Sequence, residues 1–382
     1  MDFNTIYNKI VANSDNHTKG YYNCIPFTGF ERLEEYIPGI EQSTYICVTA
    51  SSGIGKSKLS RSLFIHKPLQ FLEENKDKEF ISDIELDILY FSLEESKEKV
   101  ILSEISSYLF HKYRLRLSPK QLISVGRYNH ISPEDIVKIK EAEAHVNKFL
   151  SKVRLYDNIR NPTGIYKVVR DFAMQIGTYY DKDHNPLTPA EVKQITLGIG
   201  EAHKKISYYK TYNPKHYVII LTDHISLLSP EQGESLQQTI SKFSSKYCLH
   251  FRDKFGFTPV VVQQQAAAKE QVESNYRGQT IAEKLEPSLE GLGDSKVTGR
   301  DYNLVIGLFS PYRYKIEEHS GYNIKKLKNF YRSINIIKNR DGLADFKVPI
   351  FFDGATNYFQ ELPKSDDIEG MQRVYNYIET LK

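Results

Sequence analysis

Residues 50–57 read ASSGIGKS. Within them, Gly53-Ile54-Gly55-Lys56-Ser57 combine two glycines, a lysine and a hydroxyl at the spacing that cradles a phosphate. Glycines let the backbone turn tightly and approach an anion closely, so successive N–H groups face one concavity. A helix starting just beyond adds the partial positive charge of its N-terminus. In such a loop Lys56 reaches the terminal phosphates of ATP and the Ser57 hydroxyl ligates Mg²⁺. The backbone of Ala50, Ser51, Ser52, Gly53, Ile54 and Gly55 lines the rest. Ala50 stands where the usual pattern G-x-x-x-x-G-K-[ST] begins with glycine; at a strand end a small residue suffices if φ stays negative. A second candidate is Asp223, at the tip of the apolar run Tyr217-Val218-Ile219-Ile220-Leu221, where an aspartate holds the shell of a nucleotide-bound Mg²⁺. A third is the pair Lys338 and Arg340, two apart on a strand and so projecting from one face. They precede Asp341-Gly342, at the mouth of the turn, where they can extend beyond their own chain and neutralise a transferring phosphoryl group elsewhere. Taken alone, the pair reads more readily as an exposed, charged hairpin tip that protects a sheet edge from aggregation.

The elements that must position these residues alternate. Strands are expected at Thr44–Thr49, Leu86–Leu93, Val153–Tyr156, Tyr217–Leu221, Pro259–Val262 and Asn303–Phe309, with helices between them. Ser118-Pro119-Lys120-Gln121 and Thr188-Pro189-Ala190-Glu191 read as capping boxes with proline at the first helical position. Strands separated by helices imply an α/β fold, a mostly parallel sheet covered on both faces. After Asn323 the pattern changes: Ser333–Asn339, a tight Asp341-Gly342 turn and Phe346–Phe352 predict a C-terminal β-hairpin. The first 26 residues form a polar arm with Ile6, Ile10 and Val11 on one weak helical face. Tyr179–Pro214 is polar and tyrosine-rich, an insertion carrying one helix. Residues 363–382 end in a helix with Ile368, Met371, Val374, Tyr375 and Ile378 on its apolar face, docked on the chain's own core.

Composition sets limits on function. The 382 residues carry a net charge of +3, so any nucleic-acid site must be a local feature. Three well-separated cysteines (Cys24, Cys47, Cys248) give neither a disulfide framework nor a zinc spacing and suit a reducing compartment. No apolar run approaches the roughly 20 residues of a membrane span, and the polar start lacks a signal peptide, so a cytoplasmic protein without membrane partners is expected.

In order along the chain, these features resemble the ATPase domain of DnaB-type replicative helicases, within the RecA-like phosphate-loop family. The resemblance runs from about Phe27 to Leu362 through Thr28-Gly29-Phe30, the loop ASSGIGKS, Phe91-Ser92-Leu93-Glu94 and Asp223. It continues through Pro259-Val260-Val261-Val262-Gln263-Gln264-Gln265, the segment Gly299–Ile306 and Lys338-Asn339-Arg340-Asp341-Gly342. It implies a RecA-like core over residues 27–362, interrupted by the insertion at 179–214. The residues before 27 are expected to form an arm that can contact a neighbouring subunit. It further implies that Glu94 polarises the attacking water and Gln265 senses the γ-phosphate, while Lys338 and Arg340 reach the ATP of the next subunit. The family's large helical N-terminal domain is not seen before Phe27, so a viral or mobile-element version, acting in a host cytoplasm, is expected.

The resemblance also implies a hexameric ring, a homo-oligomer threaded by single-stranded DNA, with a primase or loader as further partner. The channel loops fall between Gln265 and Asn303. There the DNA-binding candidates are Lys269, Lys284, Gly293, Asp294, Lys296 and Arg300. The arginine that the family places before its acidic residue and serine is absent from Gly293-Asp294-Ser295, leaving Lys296 as the replacement. Two other readings stand beside the helicase: a RecA-like filament or loader ATPase that binds DNA without unwinding it, and a nucleotide-switched replication scaffold.

Overall fold

A computed structural model describes residues 2–127, 129–196, 205–266, 285–292 and 296–381. The strands are β1 (Ile46–Ala50), β2 (Glu85–Ser92), β3 (Val153–Tyr156), β4 (Gly177–Tyr180), β5 (Pro186–Leu187), β6 (Tyr208–Thr211) and β7 (His216–Asp223). They continue as β8 (Thr258–Gln264), β9 (Leu304–Phe309), β10 (Glu318–His319), β11 (Tyr322–Asn323), β12 (Tyr331–Asn339), β13 (Phe346–Asp353) and β14 (Tyr358–Glu361). Among the described residues, one sheet runs in the order β14-β13-β12-β9-β1-β8-β7-β2-β3. The six strands from β9 to β3 are mutually parallel. The remaining three add antiparallel at one edge. This is the mostly parallel, helix-flanked α/β architecture with a C-terminal antiparallel extension that the alternation of segments implies.

Because β1, β7 and β8 are covered on both faces, they are apolar almost throughout rather than alternating. All five residues of β1 and all eight of β7 are buried. Val48, Leu59, Leu63 and Val262 belong to the core on one face, which includes the helix following the phosphate loop. Cys47, Val261, Phe172 and Phe251 belong to the core on the other. At roughly 25 cal/mol per Å² of apolar surface removed from water, these two layers dominate the folding energy.

Several boundaries differ from the sequence reading. The arm contains a helix, Phe3–Thr18, with no buried residue. The chain then joins the core at Tyr21, not Phe27: Tyr21, Cys24 and Ile25 are buried, and Ile25 bridges to Ile40. Both capping boxes form, with Ser118 and Gln121 reciprocal and Thr188 and Glu191 likewise. The insertion carries its helix (Pro189–Thr196) but also the three-stranded sheet β5-β4-β6, packed through Tyr179 and Tyr209 onto Phe255. Alternation within β4 and β6 is hidden in the sequence because tyrosines occupy both faces. Asp341-Gly342 is not a two-residue turn. The last β12–β13 pair is Ile336 with Phe346, and β12 continues to Asn339 alone, paired to β9 past an irregularity at Ile337. In the final helix (Ile368–Thr380), Met371 and Ile378 are buried, whereas Ile368 is 81 % exposed because it occupies the overhanging first turn. No helix among the described residues is long and apolar enough to cross a membrane.

Candidate nucleotide site

The phosphate loop leaves the C-terminal end of β1, which lies between β8 and β9. Open α/β sheets place ligand crevices at this end of their strands. Ala50 is the buried last residue of β1 and lies outside the left-handed region, so alanine fills the position without strain. Gly53 (φ 72°) and Gly55 (φ 113°) are left-handed, and a β-carbon on Gly55 would lie 3.0 Å from the Phe352 ring. Both positions therefore require glycine. The helix Lys56–Arg61 starts directly after Gly55, leaving its first N–H groups without intrahelical acceptors. Lys56, at its head, is 6 % exposed.

β7 lies two strands from β1, and its last residue, Asp223, meets the loop helix. The Ser57 hydroxyl donates to Asp223 Oδ1 at 3.0 Å, and the Tyr90 hydroxyl donates to Oδ2 at 3.4 Å. Asp223 is 2 % exposed, and burial pushes its carboxyl up to about 6, against the opposing pull of Arg61, Ser57 and Lys56. A hydroxyl and a carboxylate converging in this way form a hard oxygen donor set of the kind Mg²⁺ takes.

Glu94 follows β2, whose Ser92 pairs in register with Asp223. The Leu93 amide donates to the Asp223 carbonyl at 2.7 Å, so Glu94 emerges beside the aspartate. Its half-exposed carboxylate lies 3.6 Å from His224 Nε2. The adjacent Glu95 is occupied otherwise: it accepts from the fully buried Arg61 at 2.6 Å. Of the two neighbouring glutamates, Glu94 is the more exposed, at 52 % against 34 % for Glu95. Gln265 also reaches this end, but its side chain is held inside the chain. Its Nε2 donates to Thr49 Oγ1 at 3.0 Å and to the Ser288 carbonyl at 3.1 Å, and its own amide donates to the Ala50 carbonyl.

Lys338 and Arg340 do not join this group. Asn339 pairs with Leu304, at the start of β9, so both basic residues lie at the end of the sheet opposite the phosphate loop. Lys338 Nζ donates to the Gly299 carbonyl at 2.8 Å, and the Arg340 guanidinium donates to the Arg300 carbonyl. Arg300 is exposed beside them. Of the other DNA-binding candidates, Lys296 opens the short helical turn Lys296–Arg300, whereas Lys269, Lys284, Gly293 and Asp294 lie outside the described residues.

Several residues in contact with the loop carry no motif signal. Arg61 falls within the loop helix, five positions past Lys56, and links it to Glu95. Tyr314 bonds Ser51, Arg313 bonds the Ser52 carbonyl, and Arg332 bonds the Ile54 carbonyl. Arg313 and Tyr314 come from the turn after β9 and Arg332 from β12, all more than 250 residues away in sequence, so spacing cannot reveal them.

No protein-family model and no curated protein matches the chain. Solved structures do. One of them, an ATPase domain, superposes with a TM-score of 0.61 at 16 % identity, covering 93 % of this chain and 98 % of that one. A DnaB-like replicative helicase, solved in a study of its interactions with primase, gives 0.58 at 16 % identity, covering 92 % and 67 %. The fold of this chain is the RecA-like fold of DnaB-type helicase ATPase domains.

Proposed function

We propose that the chain is an ATP-hydrolysing motor of the DnaB type, a ring-forming helicase that translocates on single-stranded DNA. The observation that carries this reading is the division of the site across the molecule. Lys56, Ser57, Asp223 and Glu94 converge at one end of the sheet, while Lys338 and Arg340 stand at the other. A chain carrying both halves at opposite ends completes its site only against a second copy placed head to tail, and such an interface closes into a ring when the rotation permits. The architecture shared with helicase ATPase domains supports the same assignment.

In this reading the loop amides and Lys56 hold the β- and γ-phosphates, and Ser57 and Asp223 hold Mg²⁺. Bound Mg²⁺ neutralises charge on the phosphates. Glu94 orients the attacking water and accepts its proton, and Gln265, tied to both β1 and Ser288, couples the γ-phosphate to the segment leading towards the DNA loops. Lys338 and Arg340 of the next subunit stabilise the transferring phosphoryl group, a contribution of about 10³–10⁵ in rate for such a finger. Lys296 and Arg300, with Lys269, Lys284, Gly293 and Asp294, contact the DNA backbone, giving salt-dependent, sequence-tolerant binding. The helix Phe3–Thr18 exposes Phe3, Ile6, Tyr7, Ile10 and Val11 along one face, which suits packing on a neighbouring subunit. A primase partner is proposed by analogy with the helicase described with its primase.

Subunit mixing tests the divided site. Lys56→Ala and Arg340→Ala chains are each expected to lack turnover, with Arg340→Ala still binding nucleotide. Mixed before assembly, they should recover part of the activity, because some interfaces then pair an intact Lys56 with an intact Arg340. Mixtures that stay inactive while still assembling would exclude a shared site.

A further inference from the structure

Arg332 is a buried cation in β12 with no carboxylate partner among the described residues. It is 3 % exposed, and all its acceptors are neutral. Nε donates to the Ile54 carbonyl at 3.0 Å, Nη1 to the carbonyls of Asn329 and Tyr331 at 2.9 and 2.7 Å, and Nη2 to Asn329 Oδ1 at 3.1 Å. The guanidinium also lies over the Phe352 ring, 5.1 Å from its centre, and that ring is what a side chain on Gly55 would strike. Burial lowers the guanidinium to about 10. Burying a cation unpaired is costly, so its persistence beneath the phosphate loop calls for an account.

Peptide geometry supplies one. In a trans peptide the C=O and the following N–H point in opposite directions. The one cis bond in the described chain lies elsewhere, at Asp223-His224. An arginine gripping the Ile54 carbonyl therefore turns the Gly55 N–H away from itself, towards the opposite side of the loop. Arg313, an exposed residue in the turn after β9, grips the Ser52 carbonyl and does the same for the Gly53 N–H. Among the described residues, neither the Gly53 nor the Gly55 amide donates to another backbone group. Each arginine thus turns one glycine amide away from itself. A guanidinium suits the task because its several fixed donors hold a carbonyl and its own anchors together, which a single ammonium cannot.

We propose that Arg332, assisted by Arg313, is a positioning residue that presets the phosphate loop: it holds the loop's outward carbonyls so that the Gly55 and Gly53 amides face a bound polyphosphate, and the buried guanidinium supplies a positive charge beneath it. This rests on the nucleotide-site reading above. Because the β-phosphate is common to ATP and ADP, the loop contributes to binding both. Losing the preset weakens substrate and transition state together, which raises KM more than it lowers kcat.

The test measures the affinity of fluorescent mant-ADP and mant-ATP, steady-state kcat and KM, and nucleotide-free thermal unfolding. The chains compared are the unmodified protein, Arg332→Met, Arg332→Lys and Arg313→Gln. Loss of a hydrogen bond from a charged donor predicts a roughly 10- to 100-fold weaker Kd for both nucleotides in Arg332→Met. Arg332→Lys, which keeps the charge and one donor, should recover part of this. Arg313→Gln, at an exposed position, should weaken binding about 3- to 10-fold without lowering the melting temperature. If Arg332→Met does not fold, Arg332→Lys and Arg313→Gln decide. Folded variants with unchanged Kd and KM would overturn the positioning role. An unmodified chain that binds neither nucleotide would instead overturn the nucleotide site itself.

Discussion

Asp223 stores a cost that its proposed role explains. Its carboxyl is raised to about 6 from an ordinary 3.8, chiefly by burial. A raised acid binds its proton more tightly in the folded chain than in the unfolded one. Between roughly pH 4 and 6 the folded state holds more protons, so stability falls as pH rises through that window and stays reduced above it. Two units correspond to at most about 3 kcal/mol. Asp223→Asn removes the charge and keeps an acceptor for Ser57, so it should raise the nucleotide-free melting temperature at pH 7.5 while having little effect at pH 4. The same change should abolish turnover, and in the unmodified chain Mg²⁺-dependent activity should fall as pH drops through about 6. Thermal melts at the two pH values check the sign; a lower melting temperature for Asp223→Asn at pH 7.5 would refute the burial account. Residues of this kind were legible in the sequence because each belongs to a short local pattern: a glycine-lysine-serine loop, or an acid ending an apolar strand. Arg332 and Arg313 were not, since their significance is a carbonyl contact made across more than 250 residues.

Elements whose burial pattern is simple were also legible. The parallel strands announce themselves as continuous apolar runs, and the two proline-led capping boxes mark helix starts that form as expected. The hairpin misled because Asp-Gly signals a two-residue turn. Here β12 has a second partner, β9, which draws Lys338 and Asn339 away from β13. That departure gives Lys338 and Arg340 their place: they leave the hairpin and lie against the Gly299–Arg300 backbone. The insertion misled for a different reason, its tyrosines serving both the buried and the outer face. At this scale the helix Phe3–Thr18 is the clearest element without an intramolecular role, since none of its residues is buried. Removing residues 1–19 should leave the melting temperature of the dissociated chain unchanged and shift the assembly towards monomer. Sedimentation at matched protein concentration, with nucleotide present, checks this; an undiminished oligomer would release the helix from any interface role.

The whole molecule places the candidate phosphate loop and a basic, arginine-bearing end at opposite ends of one sheet. In the proposed motor, movement of a neighbour would be coupled to hydrolysis through two short paths. One would be the proposed trans pair, Lys338 and Arg340; the other would be Gln265, bonded to β1 on one side and to Ser288 on the other. Filament and ring would share this chemistry and differ in closure, and a scaffold would need only the binding half. Strand displacement separates all three. With a forked duplex bearing a single-stranded tail, the unmodified chain plus ATP and Mg²⁺ should release the displaced strand, and Lys56→Ala should release none. ATP turnover that rises with single-stranded DNA but never displaces a strand would contradict the helicase assignment.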